Sequence, residues 1–222
     1  MDTLPQADRP VYSASMSTGH RIFLLSPANC AGKRAGYLLR TDGRSPLAGR
    51  LRSGEGATVA EVFTFMSGLY FRGKLAYAMA FADPPADCDG IHVVVPGLGL
   101  RSPNTVIDLD RLRAIARVPV DPDDRRYIDP LQRDAARLAA RLRAEDVAVL
   151  LGSIATPKYL RPLTEVLGAR LQVPHEFIGR GDMSRGALML RCAAERRELT
   201  YVTAAPHVEL ARPRSTRGVR HP

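Results

Sequence analysis

The chain has 222 residues, a formal net charge of +9 at pH 7 and an apolar fraction of 45%, which suits one large domain or two small ones. It contains no Trp and few aromatic residues, which argues against a surface that stacks the successive bases of a single strand. Its three cysteines are widely spaced and no apolar run is long enough to span a bilayer, so we expect a cytoplasmic protein with no disulfide framework, zinc ribbon or membrane partner.

The first elements alternate between strand and helix patterns. The apolar run Arg21–Ser26 predicts a strand, and Lys33–Arg40 suits a short helix. Residues 41–57 are rich in Gly, Arg and Ser and predict a loop. Apolar residues at helical spacing predict a helix over Val59–Ala82, or two helices with a break within residues 68–73, where glycines weaken the pattern.

The middle of the chain continues the alternation. The β-branched run Ile91–Val95 predicts a strand that is covered on both faces. Asp108 can cap a helix that continues through Ala116. Asp129 followed by a proline predicts the start of a helix that ends at Arg143.

The last elements repeat the pattern. Val147–Leu151 predicts a third buried strand, and Thr156 with the following proline starts a helix that ends at Gly168. Two short strands are predicted at Leu171–Val173 and Tyr201–Thr203. Between them, Asp182 or Ser184 can cap a helix that continues to Ala194.

Strands separated by helices predict an α/β fold with three layers, a mainly parallel sheet with helices on both faces. We expect residues 18–211 to form this single domain, residues 1–17 to be a flexible N-terminal segment and residues 212–222 to be a disordered basic tail. In such folds ligands bind beyond the carboxyl ends of the strands, where the strand order changes direction.

The loop after the first predicted strand contains Asn29, Cys30 and Lys33. Free amide groups at a helix N-terminus attract anions, so Asn29 and Lys33 are candidates for anion binding. Cys30 is a candidate nucleophile because nearby cations can lower the pKa of a thiol. The alternatives are an ordinary turn with exposed basic residues and a cysteine that only fills space.

The loop after the third buried strand contains Ser153 and leads to Lys158 in the next helix. A hydroxyl group and an ammonium group beside a helix N-terminus suit a phosphate-bearing ligand. The alternative is a tight turn with a capping threonine and an exposed lysine.

A third loop, residues 179–186, places Arg180 and Arg185 on either side of Asp182 in a glycine-rich stretch. The planar donor groups of arginine suit phosphate or carboxylate, and glycine allows the backbone to approach a ligand closely. Asp182 is the candidate general base; orientation of an arginine or capping of a helix are its alternatives.

Residues 67–74 form a further patch with Tyr70 and Lys74, although a kinked core helix with exposed basic residues is the favoured interpretation. No two histidines have metal-ligand spacing, and the P-loop, dinucleotide and nucleophile-elbow patterns are missing. The sequence therefore predicts no metal ligand, leaves the cofactor unidentified and does not define an oligomeric state.

Two stretches, LYFRGKLAYA at residues 69–78 and VVPGLGLRSPNTVI at residues 94–107, resemble uncharacterised bacterial proteins that are distantly similar to the YaaA-type peroxide-stress family. That family is linked to DNA protection. The resemblance implies an α/β fold and a role connected with DNA, and it carries over no catalytic residue.

The three loops predict a basic, phosphate-binding crevice at the carboxyl ends of the strands, in an enzyme directed at a nucleic acid or nucleotide. Asp182 would supply acid–base chemistry there and the basic residues would bind phosphate. A non-catalytic DNA-binding protein and an enzyme of small anionic metabolites are the alternatives, since a net positive charge also fits both.

Overall fold

A computed structural model describes residues 19–40, 42–154 and 156–205 of the chain. The predicted N-terminal segment, residues 1–17, and the predicted basic tail, residues 212–222, lie outside these described residues.

The described residues form a six-stranded sheet and a separate two-stranded one. The strands are β1 (Arg21–Leu25), β2 (Ala57–Thr58), β3 (Ile91–Val95), β4 (Gly99–Arg101), β5 (Val106–Ile107), β6 (Val147–Leu151), β7 (Leu171–Pro174) and β8 (Tyr201–Thr203). The large sheet has the order β4-β3-β1-β6-β7-β8, and β2 pairs with β5.

Eight α-helices connect these strands in the described part of the chain. They are α1 (Lys33–Leu39), α2 (Pro46–Ser53), α3 (Val59–Ser67), α4 (Leu69–Phe81), α5 (Leu109–Ala116), α6 (Arg125–Ala139), α7 (Pro157–Leu167) and α8 (Asp182–Ala194). Short 3₁₀ turns at Gly168–Arg170 and His175–Phe177 flank β7.

The predicted α/β class with a mainly parallel sheet is confirmed. β3, β1, β6 and β7 run parallel, with Phe23 of β1 aligned to Ile91 of β3 and to Val149 of β6. Only the edge strands β4 and β8 are antiparallel to their neighbours. Every residue of β6 is buried, as expected for a parallel strand covered on both faces.

The sheet order fixes where the connections change direction. From β1 the chain crosses to β3 on one side, and from β6 it crosses to β7 on the other. Right-handed crossovers in opposite directions place their helices on opposite faces, and the observed packing of α4 on α8 and of α6 on α7 agrees with that assignment. The switch in strand order therefore lies between β1 and β6, where such sheets bind ligands.

Gly68 divides the predicted long helix into α3 and α4, which confirms the two-helix alternative. Its backbone has φ +54° and ψ −123°, a conformation that favours glycine. The first helix begins with a capping box, in which Thr58 accepts a hydrogen bond from the Glu61 amide and the Glu61 carboxylate accepts one from the Thr58 amide.

The prediction that residues 41–57 form only a loop is wrong. Ser45 accepts a hydrogen bond from the Ala48 amide, Pro46 occupies the first turn, and α2 follows with Ala48 and Leu51 buried. The polar, glycine-rich composition of this stretch favours a loop. It nevertheless contains two apolar residues three positions apart, Ala48 and Leu51, which are enough to bury one face of a two-turn helix.

Replacing Ser45 by alanine should lower the free energy of unfolding by about 1 kcal/mol, because the first turn of α2 loses its only side-chain cap. Urea denaturation measures the change. Ser53→Ala, at the exposed C-terminal end of the same helix, is the matched control and should be close to neutral. Equal losses from the two variants would show that the cap contributes nothing specific.

The predicted start of α6 is also wrong. The helix begins at Arg125, after Asp124 caps it by accepting a hydrogen bond from the Arg126 amide, and Pro130 lies inside the helix. The cap four residues upstream determines the start, and the helix tolerates a proline after its first turn. It ends at Ala139 rather than Arg143.

Candidate functional site

The loops that follow β1 and β6 meet at the switch point of the sheet. Ser26 is buried directly after β1, and Gly152 follows β6. A Cβ atom added at Gly152 would lie 3.0 Å from the Ser26 Cβ, a tight contact that glycine avoids. Strands β1 and β6 thus bring their two loops into direct contact at the carboxyl edge.

Lys74 of α4 reaches this point from the core and is completely buried, at 0% exposure. Its Nζ donates to the Ser26 carbonyl oxygen at 2.6 Å and to Ser26 Oγ at 2.9 Å, and lies 4.5 Å from the centre of the Tyr70 ring. Burial lowers the pKa of Lys74 to about 7, while the negative charge of Asp182 opposes the shift. The amine is therefore divided between its two protonation states near neutral pH.

Tyr70 lies one helical turn before Lys74, on the same face of α4. It is buried, and among the described residues its hydroxyl group forms no hydrogen bond of good geometry, although Arg185 lies close enough to interact with it. Burial raises the pKa of Tyr70 to about 12; the charge of Asp182 adds to the shift and that of Arg185 opposes it. A buried hydroxyl without a partner is costly, and such groups need an explanation such as a bound ligand or water.

Arg185 and Asp182 occupy the first turn of α8 beside Tyr70. Arg185 is 4% exposed, and its Nε and Nη2 donate to the Phe177 carbonyl oxygen at 3.3 and 3.0 Å. Its Nη1 donates to Asp182 Oδ1 at 3.4 Å. The Asp182 side chain is 62% exposed, so solvent can reach a carboxylate that a buried guanidinium orients.

Tyr159 of α7 joins the same group. Burial raises its pKa above the usual range for tyrosine, and ionisation at Tyr70, Asp182 and Cys30 would add to the effect. These mutual influences place residues from the β1 loop, α4, α7 and α8 close together. We call this set the edge cluster; it consists of Ser26, Cys30, Tyr70, Lys74, Tyr159, Asp182 and Arg185.

The pKa of Cys30 is shifted in the direction opposite to the one expected. Burial raises it to about 12, and Sγ lies 3.6 Å from the Ala28 carbonyl oxygen. The thiol form is thus favoured at neutral pH, and the predicted catalytic role of Cys30 loses the support of an activated thiolate.

The helices at this edge begin without side-chain caps, unlike others in the described chain. α7 and α8 follow Thr156 and Gly181, and neither residue provides a capping hydrogen bond. Thr156 Oγ1 is buried and has no hydrogen-bond partner among residues 19–40, 42–154 and 156–205. By contrast, four other helices, α2, α3, α5 and α6, are capped by the side chains of Ser45, Thr58, Asp108 and Asp124. The first turn of α8, and that of α7 after Pro157, which has no N–H, therefore present amides to which no N-cap side chain is bonded.

The remaining predicted residues surround the edge cluster without a direct bond to it. Lys158 Nζ lies 5.8 Å from the centre of the Tyr159 ring, and Ser153 follows Gly152 in the β6 loop. Arg180 donates to Ser184 Oγ at 3.2 Å. Asn29 Oδ1 accepts a hydrogen bond from the Ala31 amide at 3.0 Å, and Lys33 is exposed at the start of α1.

Sequence reasoning placed two residues of the edge cluster incorrectly. Lys74 was expected to be exposed and is buried, and Asp182 is the first residue of α8 rather than its cap. The available signal for Lys74 was its spacing of four residues from Tyr70, together with Gly73, which allows another helix to approach.

A cavity of about 310 Å³ lies at the opposite, amino end of β3. His92, Arg101 and Asp134 line it, and Asp134 accepts hydrogen bonds from the Leu100 amide and from Arg101 Nη1. His92 Nε2 is buried and has no hydrogen-bond partner within the described part of the chain. Burial also lowers the pKa of His92.

No protein-family model matches the chain, and no curated protein or solved structure matches it significantly. Within residues 19–40, 42–154 and 156–205, three or more His, Cys, Asp or Glu residues nowhere come together in a group that could hold a metal ion. None of the described helices has the length and apolar character needed to cross a bilayer. Support for a function therefore rests on the chain's own residues.

Proposed function

We propose that the protein is an enzyme that acts on a nucleotide or a nucleic acid at the carboxyl edge of the sheet. The edge cluster carries this proposal, because it gathers a lysine of lowered pKa, two tyrosines of raised pKa and an exposed carboxylate at the switch point between β1 and β6. Perturbed titratable groups in that position are typical of active sites.

The open N-termini of α7 and α8 support a phosphate-bearing substrate. Their first amides and helix dipoles favour a negative charge. Lys158 in the first turn of α7 and Arg180 just before α8 add positive charge on either side. A phosphate at these amides would lie next to the Asp182 carboxylate, which is the acid–base group of the proposal.

In this proposal Arg185 positions the Asp182 carboxylate and does not bind the substrate. Its Nε and Nη2 already donate to the Phe177 carbonyl oxygen, and Nη1 is directed to the Asp182 carboxylate. The earlier assignment of Arg185 to anion binding is therefore revised in this proposal to a positioning role. Lys74 similarly holds the Ser26 backbone and hydroxyl at the end of β1.

The phosphate subsite is tested with two double variants of equal charge. Lys158→Ala/Arg180→Ala removes the proposed subsite, whereas Arg143→Ala/Arg191→Ala removes two exposed arginines, one before β6 and one in the last turn of α8. In calorimetric titrations with nucleoside triphosphates and with a short DNA duplex, we expect the first variant to bind about tenfold more weakly and the second to be unchanged.

The same titrations separate the proposal from its alternatives. Equal weakening by both double variants, together with a steep dependence of DNA affinity on salt, would indicate diffuse binding by a non-catalytic DNA-binding protein. Binding of small phosphorylated metabolites without nucleotides would indicate the metabolite enzyme. For turnover, Asp182→Asn should lower the rate at least about 100-fold while leaving the dissociation constant of the substrate nearly unchanged.

A further inference from the structure

A pocket of about 390 Å³ lies between α1, the start of α2 and α3. Its lining consists of Tyr37, Arg40, Asp42, Gly43, Arg44, Ser45 and Phe65. The volume falls within the range of small-molecule sites. No role has been assigned to this pocket above.

Two aromatic rings line this pocket. Tyr37 is 58% exposed, and Phe65 on α3 is half-buried. Exposed aromatic surface in a concave site suits a planar ring, because a ring can stack there and displace water from both surfaces.

The cations at the pocket differ in whether they are already neutralised. Arg40 forms two hydrogen bonds with Asp42, each of 3.0 Å, so its charge is balanced. Arg44 is exposed and, within the described part of the chain, forms no hydrogen bond or ion pair. The pocket therefore offers one uncommitted positive charge beside its aromatic rings.

Arg34 lies between the pocket residue Phe65 and the start of α4. Its Nη1 donates to the Phe65 carbonyl oxygen at 3.4 Å and lies 2.8 Å from where a Cβ at Gly68 would stand. Gly68 directly precedes α4, the helix that carries Tyr70 and Lys74. Phe65 of the pocket is thus linked through Arg34 to the residue that precedes the helix carrying Tyr70 and Lys74.

We propose that this pocket binds the base of a nucleotide, with the ring stacked on Tyr37 and Phe65 and the attached phosphate bound by Arg44. This inference rests on the proposed function and narrows its substrate class to ligands in which an aromatic ring and a phosphate lie close together. Free nucleotides and single-stranded nucleic acid share this chemistry, and the test separates the two sources.

Because the chain contains no Trp, Tyr37→Trp creates a single fluorescent reporter in the pocket. Titration with a nucleoside monophosphate should quench its emission, since a stacked base quenches an indole ring. The corresponding nucleoside should bind about tenfold more weakly, and ribose 5-phosphate should cause no quenching. A short single-stranded oligonucleotide, added separately, shows whether the base can also come from a nucleic acid.

Met79→Trp is the matched control, because Met79 is 70% exposed on α4 and does not line the pocket. Its emission should not respond. In the Tyr37→Trp protein, Arg44→Ala should raise the dissociation constant of the monophosphate about tenfold and leave that of the nucleoside unchanged. No quenching, or equal quenching of both reporters, would overturn the inference.

The inference and the proposed function fail in different ways. If nucleotides bind in calorimetry and depend on Lys158 and Arg180 but do not quench the Tyr37→Trp reporter, the pocket assignment is wrong and the edge site stands. If the reporter is quenched but Lys158→Ala/Arg180→Ala and Asp182→Asn change neither binding nor turnover, the pocket binds nucleotides and the proposed active site is wrong.

Discussion

Gly186→Ala is expected to lower the free energy of unfolding by about 3 kcal/mol, because α4 and α8 cross at backbone contact. A Cβ added at Gly186 would lie 2.9 Å from the Tyr70 Cα and 3.0 Å from the Leu69 carbonyl oxygen. Backbone atoms cannot rotate away as a side chain can, so the two helices would have to separate. Urea denaturation at neutral pH measures the loss.

Gly49→Ala provides the matched control, since Gly49 lies within α2 and an added Cβ there meets no atom within 4 Å. That variant should gain about 0.5 to 1 kcal/mol from the higher helix propensity of alanine. Wild-type stability in Gly186→Ala would mean that the helices do not approach as closely as described.

The helix crossing also determines the geometry of the edge cluster. α4 supplies Tyr70 and Lys74, and α8 supplies Asp182 and Arg185. Separating the two helices moves the carboxylate away from the lysine and tyrosine whose protonation it influences. Gly186→Ala should therefore reduce any turnover more than its loss of stability alone explains at temperatures where the variant is still folded.

The parallel strands and their loops were predictable because their signals are local. Ile91–Val95 and Val147–Leu151 are largely apolar runs, and each ends at turn residues. The alternation of strands and helices along the chain predicts the parallel sheet and places the three loops after β1, β6 and β7. The prediction that functional residues lie at this edge needs no other knowledge of the packing.

The burial of Lys74 could not be predicted from Gly73 alone, because it also depends on Gly186, which is distant in the sequence. Gly73 and Gly186 let α4 and α8 approach, and the buried amine then finds its acceptors on Ser26, forty-eight positions earlier in the chain. The burial of Arg185 could not be predicted either. Its partner is the backbone carbonyl oxygen of Phe177, and a backbone carbonyl is the same for every residue type. Residue type alone predicted that Lys74 is exposed and that Arg185 binds an anion.

The free energy of unfolding should rise between pH 7 and pH 9, and the Lys74 amine is the reason. The pKa of Lys74 is about 7 in the folded protein, against an ordinary value of 10.5 in an unfolded chain. Between these values the unfolded chain binds more protons than the folded one, so raising the pH favours folding. Each unit of pH adds up to about 1.4 kcal/mol, and the gain over this interval is about 2 to 3 kcal/mol.

Lys74→Met removes the titrating group while keeping an unbranched side chain of similar length, so the rise between pH 7 and pH 9 should disappear. Arg72→Met is the control, because Arg72 is an exposed cation on the same helix and its loss should leave the slope unchanged. Urea denaturation of the three proteins at intervals of pH gives the slopes. A slope in Lys74→Met equal to that of the wild type would show that the amine is solvated rather than buried.

Ionisation of the Cys30 thiol limits the pH range over which the free energy of unfolding rises. Burial raises its pKa to about 12 from an ordinary value of 9.0, so above pH 9 the unfolded chain loses this proton first and stability falls again. Wild type and Lys74→Met both retain Cys30, so the difference between their curves isolates the lysine. That difference should be largest near and below pH 7, where the folded wild-type protein must hold a charged amine in its core.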